Sequence, residues 1–184
     1  MEKVSENVMP QVNSIAAGPR VLSPAALKLQ ARVSSRILFA GWSFAILPAA
    51  WFAGVRVESL TPGRCVTSVP YGWRSQNPFK STYFAAQAMA AELSTGALGL
   101  LAVEDAGVPI SLLITGMEGS FGKKAVSRAT FTCEEGDIVF AAIAEAKATG
   151  QAQTFVLRTV GKMEDGQEVS RFTFNWSVKV KRGK

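Results

Sequence analysis

Towards its C-terminus the chain alternates. Phe172, Phe174, Trp176, Val178 and Val180 fall on one side of an extended backbone, and Arg171, Thr173, Asn175, Ser177, Lys179 and Lys181 fall on the other. A period of two is that of a strand, and half-apolar alternation belongs to an antiparallel sheet with one wet face. Residues 109–121, 125–134 and 151–163 read as three further strands, with turns at Gly122-Lys123 and at Glu164-Asp165-Gly166-Gln167. Upstream, residues 54–60 and 65–73 are extended runs on either side of Thr61-Pro62-Gly63-Arg64, which predicts a hairpin. Between the second and third of the late strands, Asp137 is expected to cap a short alanine-rich helix that runs to Ala148 and closes at Gly150.

The period is different in residues 77–101, NPFKSTYFAAQAMAAELSTGALGLL. Between Lys80 and Glu104 the only charged side chain is Glu92. Such a run predicts one long helix, starting at Ser81 or Thr82 and reaching Leu100, with its end near Gly99 or in the turn at 104–107. A helix that is apolar all round is a buried one. It is also the only element able to cover the sheet, so an α+β two-layer domain follows, with the long helix wrapped by the strands.

Residues 1–22 are polar and irregular and lack the apolar core of a signal peptide, so they read as a loose leader. Ser23 and Pro24 form a good helix start, serine as N-cap and proline at the first helical position. Residues 25–39 have helical composition. Residues 37–55 carry no charge and come close to the ~20 residues that span a bilayer. Gly41, Pro48 and Gly54 interrupt them, which favours a broken pair of helices packed on the domain over a membrane association. The chain thus reads as a single domain over 23–184, with a helical extension at 23–53 and a core at 54–181.

Composition narrows the chemistry. With 184 residues, nearly half of them apolar, the chain is long enough for one real core. Its net charge of +6 suits an anionic partner, but no basic helix interleaved with aromatics and no zinc or RNA-binding motif is present, so nucleic acid is not expected. No metal site is expected either. Two cysteines, Cys65 and Cys133, are too few for a zinc site or a disulfide scaffold and read as reduced thiols of a cytoplasmic protein. The chain contains no histidine, which excludes every mechanism with imidazole as acid, base or ligand.

Glu92 is the residue that stands out. A carboxylate among alanines and leucines is costly unless it has a partner or a purpose, and burial would raise its pKa toward that of a useful base. A basic partner such as Arg74 is the structural alternative. Ser94 and Thr95, just beyond it, are candidates to contact substrate, although hydroxyls within helices commonly bond back to the backbone.

The order of elements, together with Asn77 and, fifteen positions on, Glu92, resembles the hotdog-fold thioesterase superfamily. In that fold a long helix is wrapped by a curved antiparallel sheet. The segment RSQNPFKSTYFAAQAMAAELSTG is most similar to a thioesterase-like branch in which Tyr83-Phe84-Ala85 stands where other members have His-Gly-Gly. The resemblance spans residues 55–181. It implies hydrolysis of acyl-CoA or a related acyl thioester, with Glu92 as general base and Asn77 orienting water or polarising the carbonyl. The amides around Tyr83 and Phe84 would take the oxyanion. Lys123, Lys124 and Arg128 would be contacts for the phosphates of coenzyme A, which enters as part of the substrate and not as a cofactor. A homodimer, or a dimer of dimers, with active sites at its interface is also implied. Asn77 as a simple helix cap, and a non-catalytic acyl or lipid binder, are the alternatives.

Overall fold

The computed structural model describes residues 20–181. Three helices open the described chain: α1 (Pro24–Ser34), α2 (Arg36–Ile46) and α3 (Pro48–Ala53). A hairpin follows, β1 (Arg56–Leu60) and β2 (Cys65–Val69), and then the long helix α4 (Phe84–Ala106). The remainder is β3 (Ile110–Phe121), β4 (Ala129–Cys133), α5 (Gly136–Thr149), β5 (Gln153–Met163) and β6 (Glu168–Val180). The six strands form one antiparallel sheet in the order β1-β2-β4-β5-β6-β3.

The α+β two-layer expectation therefore holds, and the alternation of β6 gives the right face. Phe172, Phe174, Trp176 and Val178 are buried under α4 and α5. α4 touches all six strands. It approaches them closely because the buried part of its surface is largely small: Ala86, Ala90, Ala91 and Ala97 share the core with bulky Phe131, Leu157 and the β6 aromatics, and Gly99 lies against Leu112 of β3. Close-packed interiors reward that pairing of small with large. Hydroxyls and an amide tie the two layers. Thr159 Oγ1 donates to Ser94 Oγ (2.9 Å), whose own proton goes to the Ala91 carbonyl (2.7 Å), Ser170 Oγ donates to Gln87 Oε1 (2.9 Å), and Thr67 Oγ1 to the Ala90 carbonyl (2.6 Å). Each such bond adds about 1 kcal/mol net, and its loss would leave a buried polar atom unpaired.

Residues 37–55 are two helices and not one span. Leu47 (φ −129°, ψ 58°) breaks the run just before Pro48, which restricts the residue that precedes it. Gly54 closes α3 in the left-handed region at φ +80°. The single helix expected over 25–39 is also divided. Ser35 is extended and its hydroxyl accepts from the Leu38 N–H (3.5 Å), capping α2. Among the described residues, the one helix long and apolar enough to cross a membrane is α4, and it is a core helix.

The strand expected over 125–134 is shorter, Ala129–Cys133, and the starts of two helices differ from expectation. α4 begins at Phe84, because the Thr82 N–H and hydroxyl both donate to the Ala125 carbonyl (2.7 and 3.2 Å) and hold that residue in a bridge with Gln76. α5 has Glu135 at its N-cap, with Asp137 inside the first turn. Glu135 is held there by accepting from the Arg158 N–H (2.6 Å) and guanidinium (3.1 Å). The extension is fastened at both ends of α1. The Ser23 N–H donates to Asp105 Oδ1 (2.7 Å), and Gln30 Nε2 to the Leu60 carbonyl (2.7 Å).

The start of α5 is also pinned to the first hairpin. The Gly136 N–H donates to the Gly63 carbonyl (3.2 Å), and a Cβ at Gly136 would lie 1.9 Å from the carbonyl oxygen of Pro62. Backbone cannot yield as a side chain does. Gly136→Ala is expected to lower unfolding stability by about 2 kcal/mol or more, read from the urea midpoint.

Candidate functional site

The approach to α4 is a loop that Asn77 organises. Its Oδ1 accepts from the N–H groups of Phe79 (3.0 Å) and Ser81 (3.2 Å), and its Nδ2 donates to Ser81 Oγ (3.1 Å). The Asn77 N–H donates to the Ser81 carbonyl (2.8 Å), closing a ring of five residues in which Lys80 takes φ +57°. Asn77 is thus not the cap of α4, which starts seven positions later. Tyr83 holds the N-cap position without a side-chain bond, and its own N–H donates to the Ser75 carbonyl (2.7 Å). The Gln87 N–H is the first to find a partner inside the helix, at Tyr83. The N–H groups of Phe84, Ala85 and Ala86 therefore have no acceptor within the helix, and they carry the positive end of its dipole.

A cleft of about 320 Å³ opens beside these amides. Asn77, Phe84, Phe121, Lys123 and Lys124 are among its walls. Lys124 Nζ donates to the Phe79 carbonyl (3.1 Å). Aromatic rings gather at its edge: Tyr83 on Phe84 (4.8 Å between centroids), Phe84 on Phe121 (6.4 Å) and Phe121 on Phe172 (5.5 Å). Arg128 lies elsewhere. Its guanidinium donates to Ser68 Oγ (3.2 Å) and pairs with Glu58 (3.7 Å) and Glu164 (3.9 Å).

Glu92 occupies a second cavity, of about 260 Å³, formed between α4 and the α2–α3 junction and walled by Ile46, Leu47, Pro48, Met89 and Leu93. Its residue is half-buried. Its carboxylate has no ion pair among the described residues, so the Arg74 pairing is not formed. Desolvation by these apolar walls raises its pKa above the ordinary carboxylate value. Space for the carboxylate comes from Gly96, one turn on: a Cβ there would lie 2.8 Å from Glu92 Oε1. A glycine four positions after a lone helical glutamate was the available signal for this, and it was not read from the sequence.

Ser94 and Thr95 sit in neither cavity. Both are buried, with Ser94 bonded to Ala91 and Thr159, and Thr95 Oγ1 donating to the Glu92 carbonyl (2.9 Å) while accepting from Trp176 Nε1 (3.3 Å). The candidates thus fall into three places. Asn77, Tyr83, Phe84, Lys123 and Lys124 cluster at the N-terminus of α4, Glu92 stands alone two turns along it, and Arg128 belongs to a carboxylate cluster. Ala85, Met89 and Glu92 lie on one half-exposed stripe of α4, so the free amides and the carboxylate share a face. They are separated by about 10 Å along the axis.

Cys65 and Cys133 stand opposite each other on β2 and β4, and both are free and buried. Burial pushes both thiols well up, Cys133 to about 12, so neither supplies a thiolate nucleophile.

Comparison with known proteins follows the same lines. A Pseudomonas aeruginosa protein of unknown function, called a probable thioesterase, superposes with a TM-score of 0.65 at 20% identity, over 84% of this chain and 95% of its own. A thioesterase family protein from Silicibacter pomeroyi gives 0.58 at 17% identity, over 77% and 96%. The Haemophilus influenzae thioesterase HI1161 gives 0.56 at 11%, over 72% and 82%. At such identities the likeness shows the fold. No functionally curated protein matches. Residues 36–178 match the family described as a domain of unknown function, DUF4442. The chain therefore belongs to the DUF4442 family, and its fold is the hotdog fold.

Proposed function

We propose that the chain hydrolyses an acyl thioester, of coenzyme A or a related carrier, with Glu92 as general base. The observation that carries this reading is the carboxylate itself. It lies in an apolar cavity without a cation, its pKa raised by desolvation, on the one stripe of α4 that sheet and α5 leave open. A carboxylate in that state is poised to take a proton from water at neutral pH. The acyl chain would occupy the apolar walls at the α2–α3 junction. Phe84, Ala85 and Ala86 would offer backbone N–H groups to the oxyanion, a role that no side-chain change abolishes. Lys123 and Lys124 would meet the carrier's phosphates, and Asn77 would hold the loop and use its second Nδ2 hydrogen to orient the water or carbonyl.

One chain alone does not suffice, because about 10 Å separates its amides from its carboxylate and a thioester carbonyl needs both within hydrogen-bond reach. A second copy would supply the missing half. Support comes from β3, an edge strand of twelve residues with Leu113, Met117 and Phe121 exposed along it. A long apolar edge is a template for pairing. In the resulting homodimer the amides of one copy would face Glu92 of the other.

The aromatic contacts at Tyr83, Phe84 and Phe121 favour a second reading, in which the same cavity retains an acyl ligand without turning it over. Acyl ligand carried through purification, seen in native mass spectra of a protein that hydrolyses nothing, would establish it.

Hydrolysis is tested with a panel of short, medium and aromatic acyl-CoAs. Glu92→Gln is expected to reduce kcat by about a hundredfold or more, the contribution of a positioned base. Unchanged turnover in that variant would sink the assignment. Wild-type kcat should rise with pH through a limb above the ordinary carboxylate range, since the base acts deprotonated.

The same desolvation predicts a stability effect of definite sign. A carboxyl whose pKa is raised on folding binds more protons folded than unfolded, so its contribution is full below the ordinary carboxylate range. That contribution is lost as pH rises through the raised value. Glu92→Gln should therefore melt above wild type at neutral pH, with the gap closing as pH falls to the ordinary carboxylate range. Thermal melts across that range check it.

A further inference from the structure

On the far side of α2 and α3 from Glu92 lies a surface that hydrolysis does not use. α2 buries Phe39 and Ser43 and turns outward Ile37 (84% exposed), Leu38 and Phe44 (61% exposed). Aromatic side chains extend the patch. Phe44 packs edge-on to Trp51 (5.0 Å), and Phe52 edge-on to Trp73, itself 76% exposed. An exposed apolar patch with this many large side chains marks an interaction surface.

Its flank is cationic. From Arg20 to Val57 every charged side chain is basic: Arg20, Lys28, Arg32, Arg36 and Arg56. Arg36 and Arg56 converge with Arg74 on a cavity of about 140 Å³ that also touches Phe39, Ser43 and Trp51. No carboxylate lines it, and none of the three guanidiniums has an ion pair among the described residues. Glu58, the first acid after them, bonds Ser68 (2.6 Å) and pairs with Arg128. Three like charges around one hollow repel unless an anion joins them, and guanidinium forks suit phosphate oxygens.

We propose that α2 and α3 form a peripheral docking face for anionic phospholipid bilayers. The Ile37, Leu38 and Phe44 side chains enter the acyl boundary, and a headgroup phosphate sits among Arg36, Arg56 and Arg74. An apolar face beside a phosphate-sized cationic hollow matches the two ends of one phospholipid. A soluble phosphate would use the hollow but would leave the apolar face without a role. α2 is 11 residues long, too short to span, so it would lie in the interface plane, with tryptophans at headgroup depth. The inference does not depend on hydrolysis at Glu92.

The test is flotation of the pure full-length protein with vesicles of phosphatidylcholine, and of phosphatidylcholine mixed with phosphatidylglycerol. Binding is expected to the mixed vesicles, weaker to the neutral ones, and falling as salt rises. Arg36→Gln and Arg74→Gln should each weaken it about fivefold, and Ile37→Ser combined with Phe44→Ser about tenfold or more. All four side chains are exposed, and circular dichroism checks that each variant folds. No binding to the mixed vesicles would overturn the proposal, as would binding untouched by either class of variant. So would a change of oligomeric mass in the Ile37/Phe44 variant without vesicle binding, which would assign the face to a second copy. Saturation of the arginine hollow by inorganic phosphate or coenzyme A in a protein that ignores vesicles would assign it to a soluble anion.

Discussion

The structure depends on how closely α4 can approach the sheet. A helix of 23 residues with one charge in its central stretch cannot face water, and burying it requires a cover on nearly every side. The sheet supplies most of that cover, α5 and α1 much of the rest. Alanine and glycine on the helix make the approach possible, while phenylalanine and tryptophan on the strands fill the volume so released. Because the sides are so nearly used up, the position of the remaining stripe is decided by packing. Glu92 lies on that stripe, and Gly96 leaves room for its carboxylate to lie along the helix.

The large elements were legible because each had a local signal that the packed structure agrees with. β6 alternates through five apolar positions, of which Phe172, Phe174, Trp176 and Val178 are buried and Val180, at its end, is half-buried. The apolar run after Lys80 read as a buried helix on composition, and α4 is that helix, starting at Phe84. The errors lie where a distant partner decides. Thr82 looks like a helix start and is instead held extended by the Ala125 carbonyl, 43 positions away. Asp137 looks like a cap, but Arg158 of β5 selects Glu135 for that position. The break at Ser35 was hidden because its own hydroxyl caps the next helix, so the helical composition continues across it.

The site divides in the same way. Glu92 could be singled out from the sequence because it is the only charge in an apolar run. Asn77 could be picked out by its spacing, yet its bonds to Phe79 and Ser81 could not, since they require a loop that closes on itself around a left-handed Lys80. Lys123, Lys124 and Arg128 are near neighbours in sequence, but the chain turns into β4 between them. That turn leaves two lysines at the mouth of the Asn77 cleft and sends the arginine across β2 to Glu58. Adjacency in sequence says little about a shared site where a strand begins.

Charge is distributed by element as well as by sign. On the sheet, arginines find carboxylates: Arg64 with Glu134, Arg158 with Glu135, Arg171 with Glu168, and Arg128 with Glu58 and Glu164. Exposed pairs of this kind add little to stability, but they cancel one another's field at a distance. The arginines around the α2–α3 hollow and the lysines at the α4 cleft have no such partners among the described residues. α4 and its extension thus hold both the apolar cavity of Glu92 and the unpaired arginines of the hollow, while the sheet supplies the rigid support on which they are mounted.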